Sequence, residues 1–125
     1  MQQTATGKKT LVLGASENPS RYSNMAVRKL VAHGHPVVAI GNKKGSVGAV
    51  QIETKQTVLT DINTVTLYLN PSNQAAYFDY ILSFHPKRII FNPGTENELL
   101  MKAADENGIE AVVGCTLVML GAGNY

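Results

Sequence analysis

The fold is decided by Leu11–Leu30, LVLGASENPSRYSNMAVRKL. It opens on the apolar run Leu11-Val12-Leu13, turns at Gly14-Ala15-Ser16 and passes through polar residues to Ser23. Ala26, Val27, Leu30 and Val31 then recur at helical spacing. A strand, a short loop and a helix in that order leave the first amides of the helix without intrahelical partners. Those amides lie just beyond the strand end, where an anion can accept them. This loop is the first candidate for a ligand site.

Upstream, Met1 to Lys9 is polar and reads as a flexible leader; residues 10–120 read as the domain and 121–125, from Gly121-Ala122-Gly123, as a tail. Thr10 to Gly14 shows no polar alternation, as expected of a strand covered on both faces. Ser20 or Ser23 is expected to cap the following helix, and Gly34 to end it in a left-handed turn. Pro36 to Ile40 reads as a second buried strand, the glycine-bearing stretch to Gly48 as a loop, and Thr57-Val58-Leu59 as a short strand. Thr64 to Leu69, TVTLYL, is β-branched and aromatic, hence a strand that Asn70-Pro71 stops.

Ser72 is expected to cap a helix with Ala75, Phe78, Ile81 and Leu82 on one face, ended by His85-Pro86. Arg88 to Phe91 is a strand closed by Asn92-Pro93-Gly94. Thr95 and Glu98 have the spacing of a capping box. The helix they open runs to Asn107, with Leu99, Leu100, Ala103 and Ala104 inward, and Gly108 ends it. Ile109 to Val113 is the last strand.

Strands alternating with helices at this pace define an α/β domain. The expectation is a Rossmann-like, doubly wound, mostly parallel sheet of five to six strands flanked by helices. Ligands of such sheets bind outside the carboxyl ends of the strands, where the strand order reverses. Four strand ends carry turn-forming or small polar residues: Gly14-Ala15-Ser16, Gly41-Asn42-Lys43, Asn70-Pro71-Ser72 and Asn92-Pro93-Gly94-Thr95. In this topology they converge on one rim.

Composition narrows the function. The chain has 125 residues, enough for one domain but not for a nucleotide-binding half and a separate catalytic half. The net charge is only +2 and the eleven Lys and Arg are spread along the chain, which disfavours nucleic acid. No long apolar span or signal-peptide pattern occurs, so no membrane association is expected and the setting is read as cytoplasmic.

The single cysteine, Cys115, excludes an internal disulfide and a multi-cysteine metal site, and reads as a small apolar residue after a strand. His33, His35 and His85 keep no metal-ligand spacing. Glu96 and Glu98 belong to a helix start, where negative charge is favoured. No nucleophile-base pair is defended by spacing, so a binding module is favoured, while an enzyme using Cys115 for acyl or disulfide exchange stays open. The sequence specifies a small-molecule ligand, but neither a partner protein nor a homo-oligomer.

A dinucleotide fingerprint would place three glycines after the first strand and an acid at the end of the second. Only Gly14 is present, and Asn42 stands where the acid is expected, followed by Lys43 and Lys44. With no carboxylate to repel a ribose phosphate, NAD is disfavoured. Coenzyme A, with its 3′-phosphate, and NADP, with its 2′-phosphate, remain.

Two stretches carry a resemblance: GASENPSRYSNMAVRKLVAHGHPVVAIGNKKG, Gly14 to Gly45, and NPGTENELLMKAADENGIEAVVGCTLVML, Asn92 to Leu120. Together they resemble the small stand-alone CoA-binding proteins, which are similar in turn to the CoA-binding domain of the succinyl-CoA synthetase alpha subunit. The resemblance implies a Rossmann-like domain that holds CoA or an acyl-CoA by its nucleotide end, as carrier, sensor or regulatory module. It does not imply a reaction, because the stand-alone members lack the synthetase's grasp and phosphohistidine machinery.

By position, it implies Gly14, Ala15 and Ser16 as donors to the pyrophosphate, and Arg21 and Ser23 at phosphate oxygens. Asn42 and Lys43 would face the adenosine ribose and its phosphate, Asn70 and Pro71 would wall the cleft, and Asn92, Pro93 and Gly94 would line the pantetheine side. The chain departs from the family's usual loop after the second strand in lacking a proline after Asn42.

Overall fold

A computed structural model describes residues 7–125. Seven strands form one sheet: β1 Thr10–Leu13, β2 Val37–Ile40, β3 Gly45–Val47, β4 Val50–Glu53, β5 Thr64–Leu67, β6 Arg88–Phe91 and β7 Glu110–Val113. Their order is β3-β4-β2-β1-β5-β6-β7; all neighbours are parallel except β3 and β4. The helices are α1 Tyr22–Ala32, α2 Pro71–Gln74, α3 Phe78–Ser83, α4 Glu98–Glu106 and α5 Thr116–Ala122, with a 3-10 turn at Ala75–Tyr77 between α2 and α3. No helix among the described residues is long and apolar enough to cross a membrane.

The continuous apolar character of β1 has the cause inferred for it, since both faces of the strand are covered. Leu11 and Leu13 pack with Ile81 of α3 and with Leu100 and Ala104 of α4. Val12 points the other way, into a second cluster with Val27 and Leu30 of α1 and Leu120 of α5. Fully burying each Leu or Val of this kind contributes roughly 1.5–3 kcal/mol. The sheet is therefore doubly wound and Rossmann-like.

β1 is the switch point. The chain runs outward from it through β2 and β4, then returns to its other side at β5 and continues outward through β6 and β7. In register, Leu13 lies between Ile40 and Leu67, Leu67 pairs with Phe91, and Phe91 with Val113. The loops after these strands leave from one edge.

Several expectations are corrected. The sheet has seven strands because 41–48 is not all loop: Gly45–Val47 pairs with Val50–Glu53 across Gly48-Ala49, with Gly48 at a φ of 59°. Thr57–Leu59 forms no strand. Instead, this segment lies over α3, where Tyr80 donates to the Thr57 carbonyl at 2.6 Å.

Neither Ser20 nor Ser23 caps α1. Arg21 holds that position without a side-chain bond, Ser20 bonds to Asn18, and Ser23 is buried within the helix. Asn70, not Ser72, caps α2, and the helix expected through Leu82 is divided by the 3-10 turn.

The Thr95–Glu98 capping box does not form. Thr95 Oγ1 donates to the Asn92 carbonyl, and Asn97 caps α4 by accepting from Leu99 and Leu100. Leu99 consequently points outward, 74% exposed.

The tail expected from Gly121 begins inside α5, and Tyr125 folds back so that its hydroxyl meets Thr10 Oγ1 at 2.6 Å. Of the expected leader, Met1–Thr6 lies outside the described residues; Lys8 and Lys9 are tied to His35 and Asn63. Gly34 does end α1, at a φ of 83°.

Candidate functional site

A cleft of about 680 Å³ opens at the carboxyl ends of β1, β2, β5 and β6. Its floor is the first loop. Gly14 turns the chain at a φ of 93°, and a β-carbon there would lie 2.9 Å from the Tyr68 carbonyl carbon and oxygen. Gly41 is equally constrained, since a β-carbon would overlap the Ala15 carbonyl. Glycine at these two positions lets the loops after β1, β2 and β5 close together.

The loop is fastened on both sides. Asn24 Nδ2 donates to the Ser16 carbonyl at 3.0 Å, and the Asn24 side-chain oxygen is held in turn by Arg28 Nε. Glu17 accepts the Ser46 amide at 2.9 Å, tying the loop to β3.

The donors differ from those implied by position. The amides of Gly14 and Ala15 both donate to the Ile40 carbonyl, at 2.9 and 3.0 Å, so these residues shape the floor and their N–H groups are engaged within the sheet. The first turn of α1 starts without a side-chain cap, and its Tyr22 and Ser23 line the cleft. Among the described residues that line the cleft, Arg21, at the cap position, is the one fully charged side chain and none is a carboxylate. The helix dipole and the guanidinium have the same sign of effect, favouring an anion.

The opposite wall comes from β5 and β6. Tyr68, Leu69, Asn70, Asn73 and Tyr77 stand on one side, and Pro93, Gly94 and Thr95 on the other. Two buried amides brace it. Gln74 donates to the carbonyls of Leu69 at 2.8 Å and Thr95 at 2.7 Å, and accepts from Asn97. Asn92 donates to Thr66 Oγ1 and the Leu67 carbonyl and accepts the Thr116 amide. Each clips loops from different strands together, so the wall is a fixed surface rather than two independent loops.

The Tyr68 hydroxyl is buried without a hydrogen-bond partner among the described residues. The Thr66 and Thr116 hydroxyls near it are already paired with each other at 2.8 Å. Burial, and then the nearby Cys115, push the phenol up to about 12, so it stays neutral.

Of the residues singled out in the sequence, the cleft gathers Gly14, Ala15, Ser16, Arg21, Ser23, Asn42, Asn70, Pro93 and Gly94. Lys43 is exposed at its margin, Pro71 begins α2 outside it, and Asn92 is buried beneath it. Tyr22, Gly41, Tyr68, Leu69, Asn73, Tyr77 and Thr95 also line it. Asn73 and Tyr77 fall three and seven residues after the Asn70 cap, which is the helical spacing that could have indicated them. Among the described residues, no group of three or more His, Cys, Asp or Glu side chains could hold a metal ion.

The fold and cleft define a Rossmann-like domain with an anion-favouring site at its switch point. The profile of the family described as "CoA binding domain" matches residues 8–121, and the chain belongs to that family. A search of curated proteins finds no match. Among solved structures, one described only as an uncharacterized protein is 52% identical with a TM-score of 0.93, covering 96% of this chain and 99% of its own.

A hypothetical protein from Pyrococcus horikoshii OT3 is 25% identical with a TM-score of 0.84, covering 94% of this chain and 84% of its own. A dinucleotide-forming acetyl-coenzyme A synthetase 1 from Ca. Korarchaeum cryptofilum, in complex with phosphate and ADP, is 17% identical with a TM-score of 0.70. The match spans 86% of this chain and 26% of that one, and it is a likeness of fold.

Proposed function

We propose that the protein binds coenzyme A or an acyl-CoA in this cleft by the phosphorylated adenosine diphosphate end, as a non-catalytic carrier, sensor or regulatory module. The observation that carries this reading is a glycine-floored cleft at the switch point with Arg21, the uncapped first turn of α1 and no carboxylate in its lining. Membership of the CoA-binding domain family supports the choice of ligand.

In this reading the pyrophosphate lies against Arg21 and the amides of Tyr22 and Ser23. Asn42 meets the ribose, and Lys43 swings in from the margin to the 3′-phosphate. The pantetheine arm then runs along Tyr68, Leu69, Tyr77 and Pro93, an apolar path suited to a flexible chain. Among the described lining residues no His, Cys, Lys, Asp or Glu stands beside Ser16, Ser23 or Thr95 to activate a hydroxyl, which supports binding over catalysis.

Native mass spectrometry of the purified protein tests the proposal. One CoA or acyl-CoA per chain is the expected result. NADP in its place would favour an NADP-binding module or oxidoreductase subunit and overturn the CoA reading.

A further inference from the structure

We propose that the segment after α5, Asn124-Tyr125, is an acid-released strap, and that closing it holds α5 and, through α5, the β5–β6 wall of the cleft. The strap crosses the amino ends of the strands, opposite the cleft. Tyr125 bonds through its hydroxyl to Thr10 at 2.6 Å, and its carbonyl accepts Lys8 Nζ at 2.7 Å. The Arg88 guanidinium lies 4.4 Å from the ring centroid and the His35 ring 4.8 Å from it. A tyrosine ring against a guanidinium is a favourable pairing.

His35 makes this clasp sensitive to protons. The end of α1 fixes its position: the Gly34 amide bonds to Val31 and the His35 amide to Leu30, the closing pattern of a Schellman turn. His35 Nδ1 then accepts the Lys8 backbone N–H at 2.9 Å, which only the neutral ring can do. A proton on Nδ1 turns that bond into an N–H facing an N–H.

The same proton adds positive charge beside His33 at the end of α1, Lys8 ahead of β1, and Arg88 of β6. Tyr125 presents its ring to His35, while its carbonyl accepts Lys8 Nζ and its hydroxyl meets Thr10. Glu110 of β7, the carboxylate in this cluster, acts on Lys8. Burial first, and then His33, Lys8 and Arg88, hold His35 below the usual imidazole range. A lowered value in the folded state means that the clasp is at full strength above the ordinary histidine pKa and weakens as pH falls toward the lowered one. An imidazolium would add a third cation to the Tyr125 ring, which Arg88 at 4.4 Å and Lys8 at 5.8 Å already face.

The connection to the cleft is covalent and short. The Gly123 and Asn124 amides close α5 onto Leu120 and Met119. At its other end, Thr116 of α5 is bonded to Asn92 and Thr66, which hold the roots of the loops bearing Pro93 and Tyr68.

Amide hydrogen exchange followed by NMR, without ligand, tests the strap between about pH 7.5 and about pH 5, the range in which histidine titrates. Protection factors for Met119 and Leu120 are expected to fall severalfold on acidification while those of Val65 and Ile90 hold. His35→Asn, whose Oδ1 takes the place of Nδ1 and can still accept the Lys8 amide but does not titrate, is expected to abolish the fall. Tyr125→Ala is expected to lower α5 protection at both pH values.

Equal α5 protection at both pH values in the native chain, or the same fall in His35→Asn, would overturn the strap. So would a His35 ring resonance that titrates at or above the ordinary histidine value in the native protein. Because no ligand is present, failure here leaves the CoA reading untouched.

Discussion

Asn92 Oδ1 accepts the backbone N–H of Thr116 at 2.8 Å, so a side chain at the end of β6 caps a helix that begins 24 residues later. The Asn92 amide nitrogen is spent on Thr66 and Leu67. Asn92→Leu would leave the Thr116 amide and the Leu67 carbonyl unpaired, and should destabilise the protein by about 3 kcal/mol. Urea denaturation checks this. Unchanged stability with lost ligand binding would instead make Asn92 a ligand contact, the role that sequence position implied.

Gly14→Ala places a β-carbon in a left-handed backbone conformation and against the Tyr68 carbonyl. A loss of about 3 kcal/mol or more is expected, from backbone strain and from prising β1 and β5 apart. The denaturation midpoint measures it. A variant as stable as the native chain would show that the loops after β1 and β5 do not close as described.

What the sequence reveals and what it conceals separate along a physical line. Leu11–Leu13 is legible because double-sided burial makes a strand apolar throughout, Thr64–Leu67 because its residues are β-branched or apolar, Arg88–Phe91 because Asn92-Pro93-Gly94 closes its apolar run, and Gly34 because a left-handed helix end favours glycine. Topology alone brings the ends of β1, β2, β5 and β6 to one cleft, whereas Arg21 is singled out through the family resemblance. The cap of α5 is non-local, and nothing around Thr116 announces it. Thr95 and Glu98 have the spacing of a capping box, yet Asn92 and Asn97 compete for the same groups and form the bonds. The β3–β4 hairpin reads as loop in the sequence because Lys43-Lys44-Gly45 and Gly48 resemble loop chemistry, whereas pairing with the edge of the sheet decides it. Gln74 looks like an ordinary surface amide, and Asn92 like a ligand contact, until the strands around them are in place.

Arg21 is exposed and leaves α1 without a side-chain cap. Arg21→Ala should change stability by less than about 0.5 kcal/mol. It should weaken CoA binding about tenfold, the value of one charge-assisted hydrogen bond. Calorimetric titration and thermal unfolding together separate the two effects; equal affinity would remove Arg21 from the site.

The unpartnered Tyr68 hydroxyl makes Tyr68→Phe an uncommon core substitution, expected to be neutral or stabilising by up to about 1 kcal/mol. Its pH dependence has a definite sign. The folded phenol is raised to about 12 from 10.0, so its contribution is intact below pH 10 and lost as pH rises towards 12. Above pH 10 the native chain should therefore lose stability relative to Tyr68→Phe. Denaturation curves at neutral and alkaline pH check this, and parallel losses in both proteins would contradict it.

The central claim is that a phosphorylated adenosine end is held where β1 and β5 diverge. Isothermal titration with CoA and 3′-dephospho-CoA tests it most directly. One CoA per chain should bind, with the dephospho form about tenfold weaker for want of the Lys43 contact. Absence of CoA binding, or equal affinity for the two forms, would contradict it.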